Sequence, residues 1–308
     1  MRIGIMAAGA VGGYFGGRLA AAGHDVVFFA RGAHLAALRE KGLALKSTAG
    51  DLALAKVAAT DDPKSVAPVD VVIFAVKLWD TEDAGRLVKP IVTANTRVLT
   101  LQNGVDALER LRPILGDTVV GCTAQIASTI SAPGVITHTS PFAILRCGRE
   151  GNKADPQLSA FVDAAKAGGV DITLIPDIEV ELWKKFVFLT GLAGMTTATR
   201  LPVGNWRTDP DTRAMFLAVM KEVCAVAQAK GIALRDSFAD ERMAFIDKAP
   251  GGFRASMAVD LERGNRLELD WLTGGVVKMA RETGVATPMN EAIYALLKPY
   301  RMGKPAVG

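Results

Sequence analysis

The sequence predicts an α/β chain, with a doubly wound sheet over residues 1–176 and an all-helical domain over 177–308. Three observations predict it. Short β-prone runs alternate with helix-like runs through the first half, the pattern of parallel strands joined by crossover helices. After Pro176 long helical patterns take over, with Gly and Pro between them, as in Leu201-Pro-Val-Gly204 and Ala249-Pro-Gly-Gly252. Third, the 308 residues are 50% hydrophobic and 22% charged, which excludes a disordered chain and supplies apolar surface for two cores.

The first strand is Arg2 to Met6, followed by a helix from about Val11 to Ala22. Asp25 to Ala30 is the next strand and Ala33 to Lys41 the next helix. Leu43 to Ala59 reads as a weaker strand pair. Val69 to Ala75 is a nearly continuous apolar run, as expected of a parallel strand covered on both faces. Arg97 to Leu101 repeats the type, and Asp106 to Leu111 is a short helix. Several short β-prone runs extend to Cys147, then come a helix at Asp155 to Ala167 and a last strand at Val170 to Ile175. The helical half comprises Ile178 to Thr199, Asp209 to Lys230, Ser237 to Lys248, Ser256 to Glu262, Glu268 to Thr283 and Pro288 to Met302. Its apolar surface is sufficient for a homodimer.

Charge and composition narrow the function classes. Thirty-six Lys and Arg against 32 Asp and Glu leave +4, spread along the chain. Without a basic cluster, nucleic acid is not the expected partner. Three widely spaced cysteines, Cys122, Cys147 and Cys224, form no disulfide framework and point to a reducing compartment. His24, His34 and His138 are not paired at metal-ligand spacing, so no metal site is expected. Arg18 interrupts the only stretch that imitates a signal peptide, and Thr118 to Leu145, though free of charge until Arg146, is rich in Ser, Thr and Gly. A cytoplasmic protein with no membrane span is the expectation.

Residues 7 to 12 read Ala7-Ala8-Gly9-Ala10-Val11-Gly12, followed by Gly13, Gly16 and Gly17. They follow a strand and open a helix, the context of the phosphate-binding turn in a Rossmann-type sheet. Glycine lets the backbone approach a diphosphate, and the helix N-terminus offers unpaired N–H groups. Ala7 stands where the motif's first glycine is usual, so the tight turn is expected to be built differently. The competing reading is that small residues merely let the helix pack on the sheet. At the end of the second strand, Ala30-Arg31-Gly32 replaces the acidic residue that would hold a ribose 2′-hydroxyl. A guanidinium there can neutralise a 2′-phosphate, which favours NADP over NAD. Lys77 and Asn103 follow two further strands, and ligands gather at the carboxyl ends of strands in such sheets.

At this point the pattern resembles the ketopantoate reductase (2-dehydropantoate 2-reductase) family. The matching pieces are Gly9 to Gly16, Ala30-Arg31, Ala75-Val-Lys77, Leu101-Gln-Asn-Gly-Val105 and Pro133 to His138. In the second half they are Glu181-Leu-Trp-Lys-Lys185, Ser256-Met257 with Asp260, Glu268-Leu-Asp270 and Ala286 to Glu291. The resemblance implies a Rossmann domain, a helical domain and an active cleft between them. It also implies NADPH-dependent reduction of a 2-oxo acid to a 2-hydroxy acid, ketopantoate to pantoate, in pantothenate and coenzyme A biosynthesis. Carried onto this chain, Lys185 resembles the general acid and Glu268 a carboxylate near the nicotinamide ribose and the lysine. Ser256 and Asn103 resemble substrate contacts; Lys77, Asn103 and Ala127 resemble cofactor contacts.

Elementary chemistry supports these roles. Hydride arriving at a ketone carbon leaves an alkoxide, which a positioned ammonium can stabilise and protonate. A buried substrate carboxylate needs hydroxyl or amide donors, and a carboxylate beside the lysine shapes its pKa. Ordinary alternatives stand beside each residue: Lys184 and Lys185 are neighbours, of which one is expected to face water; Ser256 fits a helix N-cap; Glu268 fits a first-turn acid. The chain departs from the family where two Asn residues are usual on the helix after the lysine. Leu189 and Ala193 stand there and complete an i, i+4, i+8 set with Lys185. This altered substrate-binding face suits a less hydroxylated 2-oxo acid, with Thr190, Thr197 or Asn205 as compensating polar groups. The remaining alternatives are another NADP-dependent oxidoreductase of similar layout, acting on a 3-hydroxy acid or an imine, and a catalytically silent NADP-binding sensor.

Overall fold

A computed structural model describes residues 1–305. The chain divides into two compact units, Met1–Glu181 and Leu182–Gly308.

The first unit is a sheet with helices. Its strands are β1 (Arg2–Met6), β2 (Asp25–Phe29), β3 (Leu43–Ser47), β4 (Leu52–Leu54), β5 (Ala58–Thr60), β6 (Val71–Phe74), β7 (Arg97–Thr100), β8 (Val119–Ala132), β9 (Val135–Gly148) and β10 (Asp171–Leu174). Its helices are α1 (Ala10–Ala21), α2 (Gly32–Lys41), α3 (Thr81–Val88), α4 (Ala107–Leu115) and α5 (Pro156–Ala167). The spatial order is β4-β3-β9-β8-β7-β6-β1-β2-β5, with β10 also on β9. From β5 through β2, β1, β6 and β7 to β8 every pairing is parallel, the doubly wound arrangement expected. The antiparallel pairs are β8 with β9 and β3 with β4.

Alternation along the strands divides the buried residues between the two faces. Ile3, Ile5, Phe28, Val71, Ile73 and Leu99 join Phe15 and Leu19 of α1 and Phe161 and Val162 of α5 in one core. Gly4 lies on the other face, where an added Cβ would stand 3.5 Å from Ile91. The glycines of α1 let it lie close to the strands: a Cβ on Gly16 would come within 2.7 Å of both Ile5 and Phe28. Helix propensity is poor in so glycine-rich a segment, so burial of Tyr14, Phe15 and Leu19 holds it.

Three expectations need correction. Leu43 to Ala59 is three strands, not a pair: β3 and β4 form a hairpin beside β9, while β5 lies at the opposite edge beside β2. The β-prone runs before Cys147 are one long hairpin, because each of β8 and β9 runs 14 residues around the Pro133-Gly134 turn. Helix α3 was not read from the sequence; Gly85 weakens its signal, yet that glycine is where α4 approaches, with Leu111 2.9 Å from the position of a Cβ.

The second unit is helical: α6 (Ile178–Thr199, entering from the first unit), α7 (Pro210–Ala229), α8 (Phe238–Lys248), α9 (Ser256–Arg263), α10 (Thr273–Thr283) and α11 (Pro288–Leu297). Two glycines let neighbours approach α6. Gly191 meets Met220 and Phe216 of α7, and Gly194 meets Ile293 of α11. Glu222 of α7 holds the start of α11 by accepting the backbone N–H groups of Met289 and Asn290 at 2.8 and 2.9 Å and Asn290 Nδ2 at 2.7 Å. The Ala286 to Glu291 motif thus serves helix capping. Among the described residues, no helix is long and apolar enough to cross a membrane.

Candidate active site

The carboxyl ends of β1, β2, β6 and β7 lie side by side, because Met6 is level with Phe29 and Phe74, and Phe74 with Thr100. The chain leaves these ends through Ala7, Arg31, Lys77 and Asn103, so one rim of the sheet collects these sequence-predicted positions.

Ala7 adopts φ of 67°, the left-handed region that a glycine enters without strain. The turn therefore keeps a glycine-like conformation; it is not built differently, as the sequence suggested. Ala8 N–H donates to the Phe29 carbonyl at 2.8 Å, which anchors the turn on β2. The N-cap of α1 is Gly9, with no side chain over the first turn. A Cβ on Gly9 would meet nothing within 4 Å, whereas one on Gly12 would lie 2.5 Å from the Ala7 carbonyl oxygen. One glycine keeps space open above the helix end and the other lets the backbone close beneath it. Uncapped N–H groups at the start of a 12-residue helix can cradle a diphosphate. The residues present fit a dinucleotide.

Arg31 is the exposed N-cap of α2, and its guanidinium has no hydrogen bond or ion pair among the described residues. Lys77 lies at the end of β6, with Nζ 5.7 Å from the centroid of the Trp79 ring. Gln102 braces the rim between Lys77 and Asn103. Its Nε2 donates to Thr81 Oγ1 at 2.8 Å and to the Val76 carbonyl at 3.2 Å, and its Oε1 accepts from Thr100 at 3.3 Å. Sequence reasoning missed this role, although Gln102 lies inside the Leu101 to Val105 motif. Gly104, at φ of 92°, completes the turn after Asn103. Ala127 lies six residues beyond Gly121 along β8, past the level of Thr100, and is exposed.

In the helical unit, Lys185 and Leu189 are partly exposed on α6, while Ala193 is fully buried. Thr190 and Thr197 lie about 140° and 120° around the helix from Lys185, so they do not share its face. Their hydroxyls are buried without a hydrogen-bond partner, and Asn205 is exposed in the turn Val203–Asn205. Thr196, about 20° from Lys185, points to the start of α9, where Ala255 N–H donates to its Oγ1 at 3.4 Å. Ser256 is not an N-cap: Ala255 holds that position, and Ser256 is the exposed first residue of α9. Glu268 is not a first-turn acid. It is only 5% exposed, in the turn that precedes α10, which starts at Thr273 and not at Glu268. Among the described residues no group of three or more His, Cys, Asp or Glu could hold a metal ion.

A doubly wound sheet with a glycine-cradled helix end, joined to a helical unit, has the layout of a dinucleotide-binding protein. The family model described as ketopantoate reductase PanE/ApbA matches residues 3–148, and the model of its C-terminal part matches 177–301. The chain belongs to the ketopantoate reductase family. It is 32% identical to a PanE/ApbA family ketopantoate reductase from Ralstonia eutropha JMP134 whose crystal structure superimposes with a TM-score of 0.89, over 98% of each chain. It is 28% identical to the 2-dehydropantoate 2-reductase of a Nostoc species, over 96% of this chain and 93% of that protein. A D-mandelate dehydrogenase, solved with NADH and anilino(oxo)acetate, shares the fold at 19% identity, with a TM-score of 0.88 and 98% of each chain covered.

Proposed function

We propose that this protein reduces a 2-oxo acid to a 2-hydroxy acid with NADPH in the cytoplasm, and that ketopantoate is the first substrate to test. The observation that carries the reading is the match of both halves of the chain to one reductase family. Bound NADPH supplies the hydride. Arg31 neutralises the 2′-phosphate, the Ala7 to Gly12 turn holds the diphosphate, and Lys77, Asn103 and Ala127 line the cofactor. Asn103 and Ser256 donate hydrogen bonds to the substrate, and Lys185 stabilises and protonates the developing alkoxide. Glu268 holds the Lys185 ammonium in place.

Leu189 and Ala193 favour a second reading of the substrate. With these side chains in place of carboxamides, hydroxyls of a polar substrate would lose partners, so a less hydroxylated 2-oxo acid would be preferred. The test is NADPH consumption with ketopantoate and with a series of less hydroxylated 2-oxo acids. Turnover of at least one is expected, with kcat about 100-fold lower or worse in Lys185→Ala. Undiminished turnover in that variant, or NADPH binding without turnover of any 2-oxo acid, contradicts the proposal. A strong preference for ketopantoate contradicts the altered-substrate reading alone.

A further inference from the structure

The turn that carries Glu268 is held from both sides by the C-terminal part of the helical unit. Backbone bonds shape the turn itself. The Glu268 carbonyl accepts the N–H groups of Trp271 and Leu272 at 3.1 and 3.0 Å, and the Leu269 carbonyl accepts Gly274 N–H at 2.8 Å. On the side before Glu268, Leu267 N–H donates to the Arg301 carbonyl at 2.9 Å. On the side after it, the Tyr294 hydroxyl of α11 donates to Asp270 Oδ1 at 2.9 Å. Leu267 and Leu269, which flank the acid, are buried. Asp270 of the Glu268-Leu-Asp270 motif thus ties the turn to α11.

The Tyr294 ring is seated firmly. Gly274, in the first turn of α10, lies against it: a Cβ there would stand 2.8 Å from Cε2. Lys298 Nζ lies 5.4 Å from the ring centroid. Burial, and after it the Asp270 carboxylate, push the phenol up from its ordinary value, so the hydroxyl keeps its proton and stays the donor. A hydrogen bond to a carboxylate is roughly twice as strong as one between neutral groups.

The same helix is registered against α6, which carries Lys185. Ile293, next to Tyr294, packs where Gly194 of α6 has no side chain: a Cβ on Gly194 would lie 3.2 Å from Ile293 Cδ1. One helix, α11, therefore touches both the lysine-bearing helix and the turn with the buried acid. The backbone bonds give the turn its shape, but its tilt against α6 is set through α11. The Tyr294–Asp270 hydrogen bond is the side-chain link in that chain of contacts.

We infer that Tyr294 and Asp270 are positioning residues, whose hydrogen bond fixes the turn so that Glu268 faces the Lys185 ammonium. The inference rests on the roles of Glu268 and Lys185 proposed above. The test is the pH dependence of kcat with the 2-oxo acid turned over fastest. Lys185 must be protonated to act as the acid, so kcat falls on the alkaline side as the ammonium loses its proton. A facing carboxylate favours the charged lysine and holds this limb at higher pH, and its loss moves the limb to lower pH. Glu268→Gln sets the reference for full loss. Tyr294→Phe, which removes one oxygen atom, and Asp270→Ala are expected to move the limb the same way, by about half a pH unit, and to lower kcat about tenfold. Asp270→Asn keeps an acceptor for the phenol and restores most of the rate. A limb left at its wild-type pH in Tyr294→Phe and Asp270→Ala, while Glu268→Gln moves it, overturns the inference and leaves the reductase reading intact; a lower kcat alone then reports a structural role. A limb unmoved by Glu268→Gln removes the hold of Glu268 on Lys185 and the inference with it. Absence of turnover of any 2-oxo acid by the wild-type protein overturns both readings.

Discussion

Ala7 holds a left-handed conformation with a methyl group in place, at φ of 67°. That conformation costs an L-residue roughly 1–2 kcal/mol, and glycine's extra freedom in the unfolded chain offsets about half of the gain from removing it. Ala7→Gly is thus expected to stabilise the protein by about 0.5 kcal/mol, read as a higher urea midpoint, without loss of NADPH affinity. Gly12→Ala is expected to do the reverse. Its Cβ meets backbone, the Ala7 oxygen at 2.5 Å, and NADPH binding should weaken at least about tenfold through distortion of the turn. The motif made the turn legible in the sequence. The conformation of Ala7 was not, because alanine seldom enters that region and only the surrounding hydrogen bonds impose it.

Burial pushes the Cys224 thiol up from 9.0 to about 11. Because the folded state favours the neutral thiol, the stability this group contributes is fully present below pH 9.0 and is lost as pH rises from there through the folded value of about 11. The thiolate fraction at pH 8 is about 100-fold below that of an ordinary cysteine, so alkylation of Cys224 in the folded protein should be slower by at least that factor. Mass-spectrometric labelling rates check it.

At the scale of elements, Asp155 ties two strands to a helix. One oxygen accepts Leu158 N–H at 3.0 Å and caps α5, while the other pairs with Arg97 Nε at 2.6 Å, at the start of β7. Arg149 Nε lies 3.7 Å from the same oxygen, and its Nη1 donates to the carbonyls of Asp117 and Val119 at 2.6 and 3.1 Å. Removing the carboxylate leaves the largely buried Arg97 guanidinium without its counter-charge, while Arg149 keeps Asp117 at 2.6 Å. Asp155→Ala is expected to cost about 3 kcal/mol in chemical denaturation. The strand-end Arg97 and the N-cap Asp155 were both visible in the sequence as element boundaries; their pairing was not, since they are brought together only by the fold. The same limit explains β3, β4 and β5. A short β-prone run records its own alternation but not its partner, and these three short strands found partners at opposite edges of the sheet.

For the whole molecule, the order of strands and helices followed from periodicity and from Gly and Pro punctuation, because the parallel strands are continuous apolar runs and α6 spans the predicted Ile178 to Thr199. The rim residues of the sheet were legible because each follows a strand. Ser256 and Glu268 were legible only through resemblance, since neither sits at a position that local rules identify: one opens a helix without capping it, the other is a buried acid in a turn. The brace behind the rim, Gln102, acts through contacts with residues far away in the sequence, which no local pattern announces.

The central claim is hydride transfer from NADPH to the carbonyl carbon of a 2-oxo acid. Its most direct test is NADPH deuterated at C4 of the dihydronicotinamide, prepared in both stereochemical forms and incubated with the protein and the best 2-oxo acid of the series. Mass spectrometry of the product should find one deuterium at C2 of a 2-hydroxy acid from one of the two forms. A 2-hydroxy acid without deuterium from either form, or no such product from any 2-oxo acid, would contradict the account.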